Sequence, residues 1–408
     1  MTQATLTSVG GTEATAASRS ARAMVAIGVK RLVLADFRGY GSLRLGGGAR
    51  PDLDSRPIVL VGPNGAGKTN LLEALSFLAP GRGLRRARLS DIDRRSEGGS
   101  RPWTVSASLE TGSGIVDVGT GRDSGHGGDG GGERRLVRID GRDSRGQKEL
   151  TRLASIAWIT PEMDRLFVDG PSTRRRFLDR LVHGHDPEHA ARVSAYEHAL
   201  RERARLLERG ANADSAWLTA LEEVMAREGV AIAASRMDIA GRIDRAAAEE
   251  GPFPAAALTV VGEVESWLAE DPALAVEDRL RDTLAASRRQ DGVSGGAAHG
   301  PHRSDLAVKH RRRNEAAARC STGEQKALLL SVVLAAARLV AAERGVPPIL
   351  LLDEVAAHLD ASRRAALFDL LVEMGGQAWL TGTDEDLFAG LWGRALFLKV
   401  ESASVSQA

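Results

Sequence analysis

The run Val59-Leu60-Val61-Gly62-Pro63-Asn64-Gly65-Ala66-Gly67-Lys68-Thr69-Asn70 sets a lysine and a hydroxyl residue directly after a glycine-rich turn. Gly62, Gly67, Lys68 and Thr69 fit the spacing G-x-x-x-x-G-K-[ST]. A short apolar strand precedes the turn, and Leu71, Leu72, Leu75 and Leu78 follow at helical spacing. A strand, a glycine turn and a helix N-terminus together make an anion site, because backbone N–H groups point inward and the helix dipole favours negative charge. The loop Gly62, Pro63, Asn64, Gly65, Ala66, Gly67, Lys68 and Thr69 is therefore expected to bind a nucleoside triphosphate. Lys68 would reach the β- and γ-phosphates and the Thr69 hydroxyl would take Mg²⁺. Composition adds weight. Only six of the 55 basic side chains are lysine, yet one stands here. A planar guanidinium cannot replace a compact ammonium inside a tight phosphate cradle.

Two further stretches belong with the loop. Leu350-Leu351-Leu352-Asp353-Glu354 is an apolar strand that ends in two acids. Asp353 is expected to hold Mg²⁺ opposite Thr69, and Glu354 to polarise the attacking water. Ser321-Thr322-Gly323-Glu324-Gln325-Lys326 precedes a long apolar helix over Ala327 to Ala342. Taken alone it reads as a helix cap, since Ser followed three residues later by Glu fits a capping box. Its place just upstream of the two acids, with His358-Leu359-Asp360 just after them, is the order of motifs in ABC-type ATPases. That resemblance implies that Ser321, Gly323 and Gln325 meet the γ-phosphate of ATP held by a second subunit.

The composition sets outer limits. The chain has 408 residues, a formal net charge of +1 and one cysteine, Cys320. A disulfide framework and a cysteine zinc site are excluded, and a reducing compartment suits the chain. No apolar run reaches the length of a membrane span, so no membrane is expected, and the expected localisation is cytoplasmic. Near-neutral charge means that any nucleic-acid site must be local.

Alternating residues from Val29 to Phe37, Leu43 to Leu45, Trp103 to Leu109 and Leu136 to Ile139 predict a small antiparallel sheet. Buried strands are predicted at 155–159, 349–352, 378–381 and 395–398, an α/β pattern. Gly170 to Thr173 reads as a turn with a cap for a helix through Arg174 to Leu181. Residues 188 to about 290 are helical in spacing, with breaks near Gly210 and at 251–254 and a possible short strand over 255–264. The expected organisation is a disordered tail over 1–26, an ATPase domain over 27–185 and 296–408, and a helical lobe over 186–295. Gly119 to Gly132 is low-complexity and predicts a loop.

The chain resembles the RecF family, relatives of SMC-type heads, over nearly all of Val29 to Leu398. The resemblance rests on Leu34 to Tyr40, Gly62 to Ala74, Thr160 to Met163, Ser172 to Arg180 and Gly300 to Leu306. It implies an α/β fold of ABC-type (SMC-head-like) with an inserted helical lobe. It also implies ATP and Mg²⁺ as cofactors and an ATP-dependent homodimer that binds single-stranded and double-stranded DNA at gap junctions. RecO- and RecR-type mediators would be its partners, in recombinational repair, replication-fork maintenance and the SOS response. By the same resemblance Lys68, Asp353 and Glu354 form the catalytic set, Thr69 and Asp353 bind the metal, and Asp360 belongs to a loop that couples the subunits. The second acid is Glu where many members have Asp, and Thr381-Gly382-Thr383 stands where transporters place a histidine. Hydrolysis is accordingly expected to be slow and DNA-dependent, a timer. A transporter subunit is disfavoured because Lys68 and Asp353 lie 285 positions apart. An SMC-like organiser is disfavoured by the lack of a long heptad arm.

The DNA contacts are expected among the arginine clusters 82/85/86/88, 174–176, 201/203/205 and 311–313. Each competes with a solvated face or, at 174–176, with pairing to nearby acids. His302 and Arg303 are expected to support the nucleotide site.

Overall fold

The computed structural model describes residues 28–48, 51–96, 99–123, 134–144, 146–248 and 251–407. The expected tail over 1–26 and most of the glycine-rich segment, 124–132, lie outside the described residues.

Strands β1 (Gly28–Phe37) and β2 (Tyr40–Gly46) pair antiparallel. Strand β3 (Ile58–Val61) feeds α1 (Lys68–Ser76). A hairpin, β4 (Arg94–Ser96) and β5 (Gly99–Arg101), precedes β6 (Thr104–Thr111), β7 (Gly114–Arg122), β8 (Arg135–Ile139) and β9 (Arg142–Asp143). Helix α2 (Lys148–Leu153) then leads to β10 (Ile156–Ile159). Helices α3 (Pro171–His183), α4 (His189–Leu207) and α5 (Ser215–Ala246) follow. Next come β11 (Ala256–Val261), α6 (Glu263–Glu270), α7 (Ala273–Ser294), β12 (Asp305–His310) and β13 (Glu315–Ala316). The chain closes with α8 (Thr322–Arg344), β14 (Ile349–Leu352), α9 (Ala361–Met374), β15 (Ala378–Gly382), β16 (Leu396–Glu401) and β17 (Ser404–Gln407).

Two six-stranded sheets carry the fold. One is antiparallel, in the order β2-β1-β6-β7-β8-β9. The other runs β10-β14-β15-β3-β16-β17, parallel except at the β17 edge. Strands β10, β14, β15 and β3 are predominantly apolar on both faces, as a sheet covered on both sides requires. Alternation sorts them between two cores. Leu350, Leu352 and Val59 face one core with α8 and α9, while Ile349, Leu351, Ile58 and Leu60 face the other with α1 and the antiparallel sheet. The apolar helix α8 is long enough to cross a membrane, but most of it is buried inside the protein, so its length reflects a core role.

Gln377 ties the sheets together. It is fully buried, just before β15. Its Oε1 accepts from Val29 N at 2.9 Å and from Trp379 Nε1 at 3.0 Å. Its Nε2 donates to Asp54 O at 2.6 Å and to Val29 O at 3.2 Å. The side chain thus satisfies backbone groups of β1 that an apolar residue would leave unpaired.

Several expectations are revised. The helical region has its own core around Tyr196, Met225, Trp267 and Leu280, but Ile239, Ala240 and Ile243 at the end of α5 pack in the core around α8. Strand β11 pairs with β12, Ala256 opposite His310, because Leu258 and Leu306 fill that same core. Gly119 to Arg122 extends β7 instead of opening a loop, since Val118 and Thr120 are buried and the strand pairs on both sides. Ser172 and Thr173 are inside α3, whose N-cap is Gly170 with Pro171 at the first helical position.

Replacing Gln377 with Ala leaves four polar groups, three of them buried, without their partner. Chemical denaturation of the variant is expected to show a loss of about 3 kcal/mol from the first unfolding transition.

Candidate nucleotide-binding site

The site begins at the C-terminal ends of β3 and β14, which flank β15 in one parallel sheet. Ligands of such sheets bind beyond the carboxyl ends of the strands. Gly62 must be glycine, because a Cβ there would sit 2.1 Å from Val400 O. Gly67 has φ 112°, a left-handed conformation, and a Cβ on it would meet Tyr40 Oη at 2.7 Å. Tyr40 reaches in from β2, and its hydroxyl donates to Gly67 O at 3.1 Å. Burial pushes that phenol well above its ordinary range. It is thus a neutral donor that forms the floor of the loop.

Lys68 is 5% exposed and donates to Gly62 O at 2.6 Å and Pro63 O at 2.9 Å. Burial pulls its ammonium down, while the charges of Glu354 and Asp353 oppose that shift. Thr69 Oγ1 donates to Asp353 Oδ1 at 3.0 Å. Thr381 Oγ1 donates to the same oxygen at 2.8 Å and accepts from Glu354 N at 2.8 Å. Burial pushes the Asp353 carboxyl up, against the bonds from Thr381 and Thr69. Glu354 has φ 54°, strained for a residue with a Cβ. Its side chain lines a cavity with Asn64, Gly65, Gly67, Lys68, Thr69, Asn70 and Arg85.

These residues fit a triphosphate with Mg²⁺. The glycines leave backbone N–H groups facing the cavity at the N-terminus of α1. A carboxylate and a hydroxyl, both hard oxygen donors, meet at one point. Among the described residues no cluster of three or more His, Cys, Asp or Glu side chains could hold a metal alone. That suits Mg²⁺, which takes one or two protein oxygens and completes its shell with phosphate and water.

Two contributors escaped the sequence reading. Tyr40 sits in what reads as a turn, and nothing local signals its reach to Gly67. Thr381 stood out only as a replacement for histidine, whereas it orients Asp353 and pins the backbone of Glu354. Arg85 was grouped with the DNA candidates, but it lies at the rim of this cavity. Its Nη1 donates to Asn70 Oδ1 at 3.0 Å and lies 3.6 Å from Glu73. Glu73 is itself fully buried in a two-pronged pair with Arg38, at 2.9 and 2.7 Å.

The Ser321 segment is separate. Ser321, Gly323 and Gln325 do not line the cavity. Ser321 caps α8 in a capping box with Glu324, and both it and Gly323 face solvent. Gln325 turns inward, donating to Cys320 O at 2.9 Å. Asp360 caps α9, accepting from Arg363 N at 2.8 Å. His302 and Arg303 do not support the nucleotide site. His302 bonds Tyr196 Oη at 2.7 Å and Ala297 O at 3.0 Å, and Arg303 donates to Ala297 O, because the turn at 300–303 packs on α4.

The arginine clusters divide. Arg203 is 1% exposed and held by Glu222 at 2.9 Å and Asp291 at 2.8 Å, so it is structural. Arg174 forms a bidentate pair with Asp305 at 2.7 and 2.8 Å. Arg311 pairs with Asp244, Arg313 with Glu324, Arg201 with Glu197 and Arg205 with Glu202.

The family described as RecF/RecN/SMC N terminal domain matches residues 28–391. The DNA replication and repair protein RecF of Mesorhizobium japonicum is 47% identical over 92% of this chain and 97% of its own length. That of Brucella suis is 48% identical over 93% of this chain and 96% of its own. Among solved structures, the recombination mediator protein RecF with ATP, of the RecFOR pathway, superposes with a TM-score of 0.79 at 20% identity, covering 95% of this chain and 99% of that one. The Smc head domain from Pyrococcus furiosus, bound to the C-terminal domain of ScpA, gives 0.51 at 16% identity over 94% and 96%. Both likenesses concern the fold, an ABC-type ATPase head.

Thr381→Val keeps the shape of the side chain and removes both of its bonds. Mg²⁺-dependent affinity for a fluorescent ATP analogue is expected to fall about tenfold, the size of effect that outer-shell partners of a metal site have, while the Mg²⁺-free affinity stays unchanged. Titration with and without EDTA measures both.

Proposed function

The chain belongs to the RecF family of DNA replication and repair proteins, and on that premise we propose that it is an ATP-dependent DNA-binding protein of recombinational repair. The observation that carries the ATP part is the bond from Thr69 to Asp353 beneath a glycine cradle. Bound ATP with Mg²⁺ supplies a reactive γ-phosphoryl group and a dense negative charge. The chain's own residues receive that charge. The loop Gly62 to Thr69 offers N–H donors, Lys68 offers its ammonium, and Thr69 with Asp353 offers oxygens to the cation. Glu354, whose strained backbone is tied by its N–H to Thr381 Oγ1, would polarise the attacking water.

Ser321 and Gly323 stand on the solvent side of a helix N-terminus away from the cavity. We assign them to the second subunit's ATP, so that nucleotide joins two copies of the chain. Gln325, turned to Cys320 O, shapes the turn that presents them. Hydrolysis is slow and separates the copies, and the RecO- and RecR-type mediators act on the DNA-bound dimer. The assigned compartment is the cytoplasm.

Lys68→Ala is expected to abolish binding of the ATP analogue in equilibrium titration. If affinity is unchanged, the phosphate loop is misassigned.

The dimer is tested best at Gly323. A Cβ there meets no atom within 4 Å, and the position lies in the first turn of α8. Gly323→Arg leaves the Ser321 cap intact and improves helix propensity by up to about 1 kcal/mol. The variant is therefore expected to fold and to bind ATP as a monomer. It should fail to dimerise with ATP, because an Arg side chain fills the space between the helix N-terminus and a γ-phosphate. Glu354→Gln should give a persistent ATP dimer. Light scattering decides: a Gly323→Arg protein that dimerises like wild type removes the role in trans and leaves the segment as a cap.

A further inference from the structure

A second polar cavity lies between the loop Gly81–Arg88, helix α3 and helix α4. Arg86, Arg175, Arg176, Arg201 and Arg236 line it, together with His302. These residues come from five separate stretches of sequence, and the fold alone brings them together. The cavity is distinct from the nucleotide site. Arg85 faces the phosphate loop, while its neighbour Arg86 faces this cleft.

The charges in the cleft do not balance. Its two carboxylates are Asp179 and Glu197. Asp179 is engaged by Arg236 at 2.7 and 2.8 Å and by His189 at 2.8 Å. Glu197 lies 3.6 Å from Arg201. Three guanidinium groups remain. Among the described residues, Arg175 donates to Ser304 O at 2.6 Å and Arg176 to Thr173 Oγ1 at 3.0 Å, neither of them a carboxylate. Arg86 forms no hydrogen bond and no ion pair among the described residues. Burial depresses its pKa, as do the positive charges of Arg176 and Arg82, against the opposing charge of Glu197. His302 adds no charge, since burial lowers it to about 4. A left-handed backbone at Arg86, φ 55°, fixes the loop in this strained form.

Like charges that outnumber their counterions are unfavourable, and planar guanidinium forks match phosphate oxygens. We propose that this cleft binds the phosphodiester backbone of DNA, with Arg86, Arg175 and Arg176 as the phosphate donors. The inference rests on the DNA-binding reading above and names where that binding occurs. Tyr196, the aromatic side chain of the cleft, is buried and its hydroxyl is taken by His302, so no ring face is offered to a base. The contact is therefore with the backbone and independent of sequence.

The test uses the full chain with ATP and fluorescently labelled single-stranded and duplex oligonucleotides, by anisotropy across 50 to 200 mM salt. The double variant Arg86→Ala, Arg176→Ala is expected to bind about tenfold or more weakly at the low-salt end, and its slope of log K against log salt should shrink by about two. The Lys pair at the same positions should keep most of the slope. Affinity for the ATP analogue should be unchanged in all of them. If the double variant misfolds, each single Ala variant should still lower the slope by about one. Wild-type affinity and slope in the Ala variants would overturn the site. So would a cleft that inorganic phosphate occupies, by thermal shift, with DNA affinity unaffected by the substitutions. Wild-type protein that binds no DNA at all would instead sink the broader functional reading.

Discussion

A hydrogen bond of 3.0 Å between Thr69 and Asp353 joins residues 284 positions apart in the chain. It can form only if the end of β3 and the end of β14 reach the same edge of one sheet. The strand between them, β15, sets that spacing and also contributes Thr381. The ends of three strands therefore bring two hydroxyls, those of Thr69 and Thr381, to one carboxylate oxygen of Asp353. The long helical insertion between the two motifs is tolerated because it leaves and returns outside this three-strand unit. Loop-closure entropy grows only slowly with such a length.

The second constraint is lateral. Tyr40 from the antiparallel sheet lies beneath the left-handed turn of the phosphate loop and bonds Gly67 O, so glycine alone fits there. The position of this sheet depends in turn on Gln377, whose amide is divided among β1, the segment at Asp54 and Trp379. A buried polar side chain with all its bonds made is worth more as a locator than as a source of stability. The nucleotide site is thus built across two sheets, although its motif is contained in one.

Much of this was legible in the sequence and some was not, for a physical reason. The phosphate loop, the strand ending in Asp353 and Glu354, and the apolar strands are local patterns, and periodicity or spacing reveals them. Tyr40, Thr381 and Gln377 act through single long-range bonds, which leave no trace in their neighbours. Arginine is the hardest residue to read here. Arg203 looks like one member of an exposed basic run and is buried in an ion triad. Arg85 and Arg86 are adjacent and serve different cavities. The guanidinium keeps its charge when desolvated and offers five donors, so the same residue type fills structural and anion-binding roles. Arg135 illustrates the structural use. Burial pulls it down to about 9, and the carbonyl oxygens of Phe77, Ala79 and Gly81 accept its N–H groups.

Lys68 shows why the chain departs from arginine where it does. An ammonium has three N–H donors. Two of them are given to Gly62 O and Pro63 O. The third remains for an anion in the cavity that Lys68 lines. A lysine can keep its anchors to the loop while it binds a phosphate, so the cradle need not rearrange when the anion arrives. An arginine in that place would spread its donors over a plane too wide for the turn and would displace the carbonyls that hold it. Burial works against the lysine's charge, and the carboxylates of Asp353 and Glu354 work for it. The same two acids that are poised for the cation and the water thus work against the loss of the ammonium's charge by burial. For this reason the loop and the distant acid pair act as a single electrostatic unit.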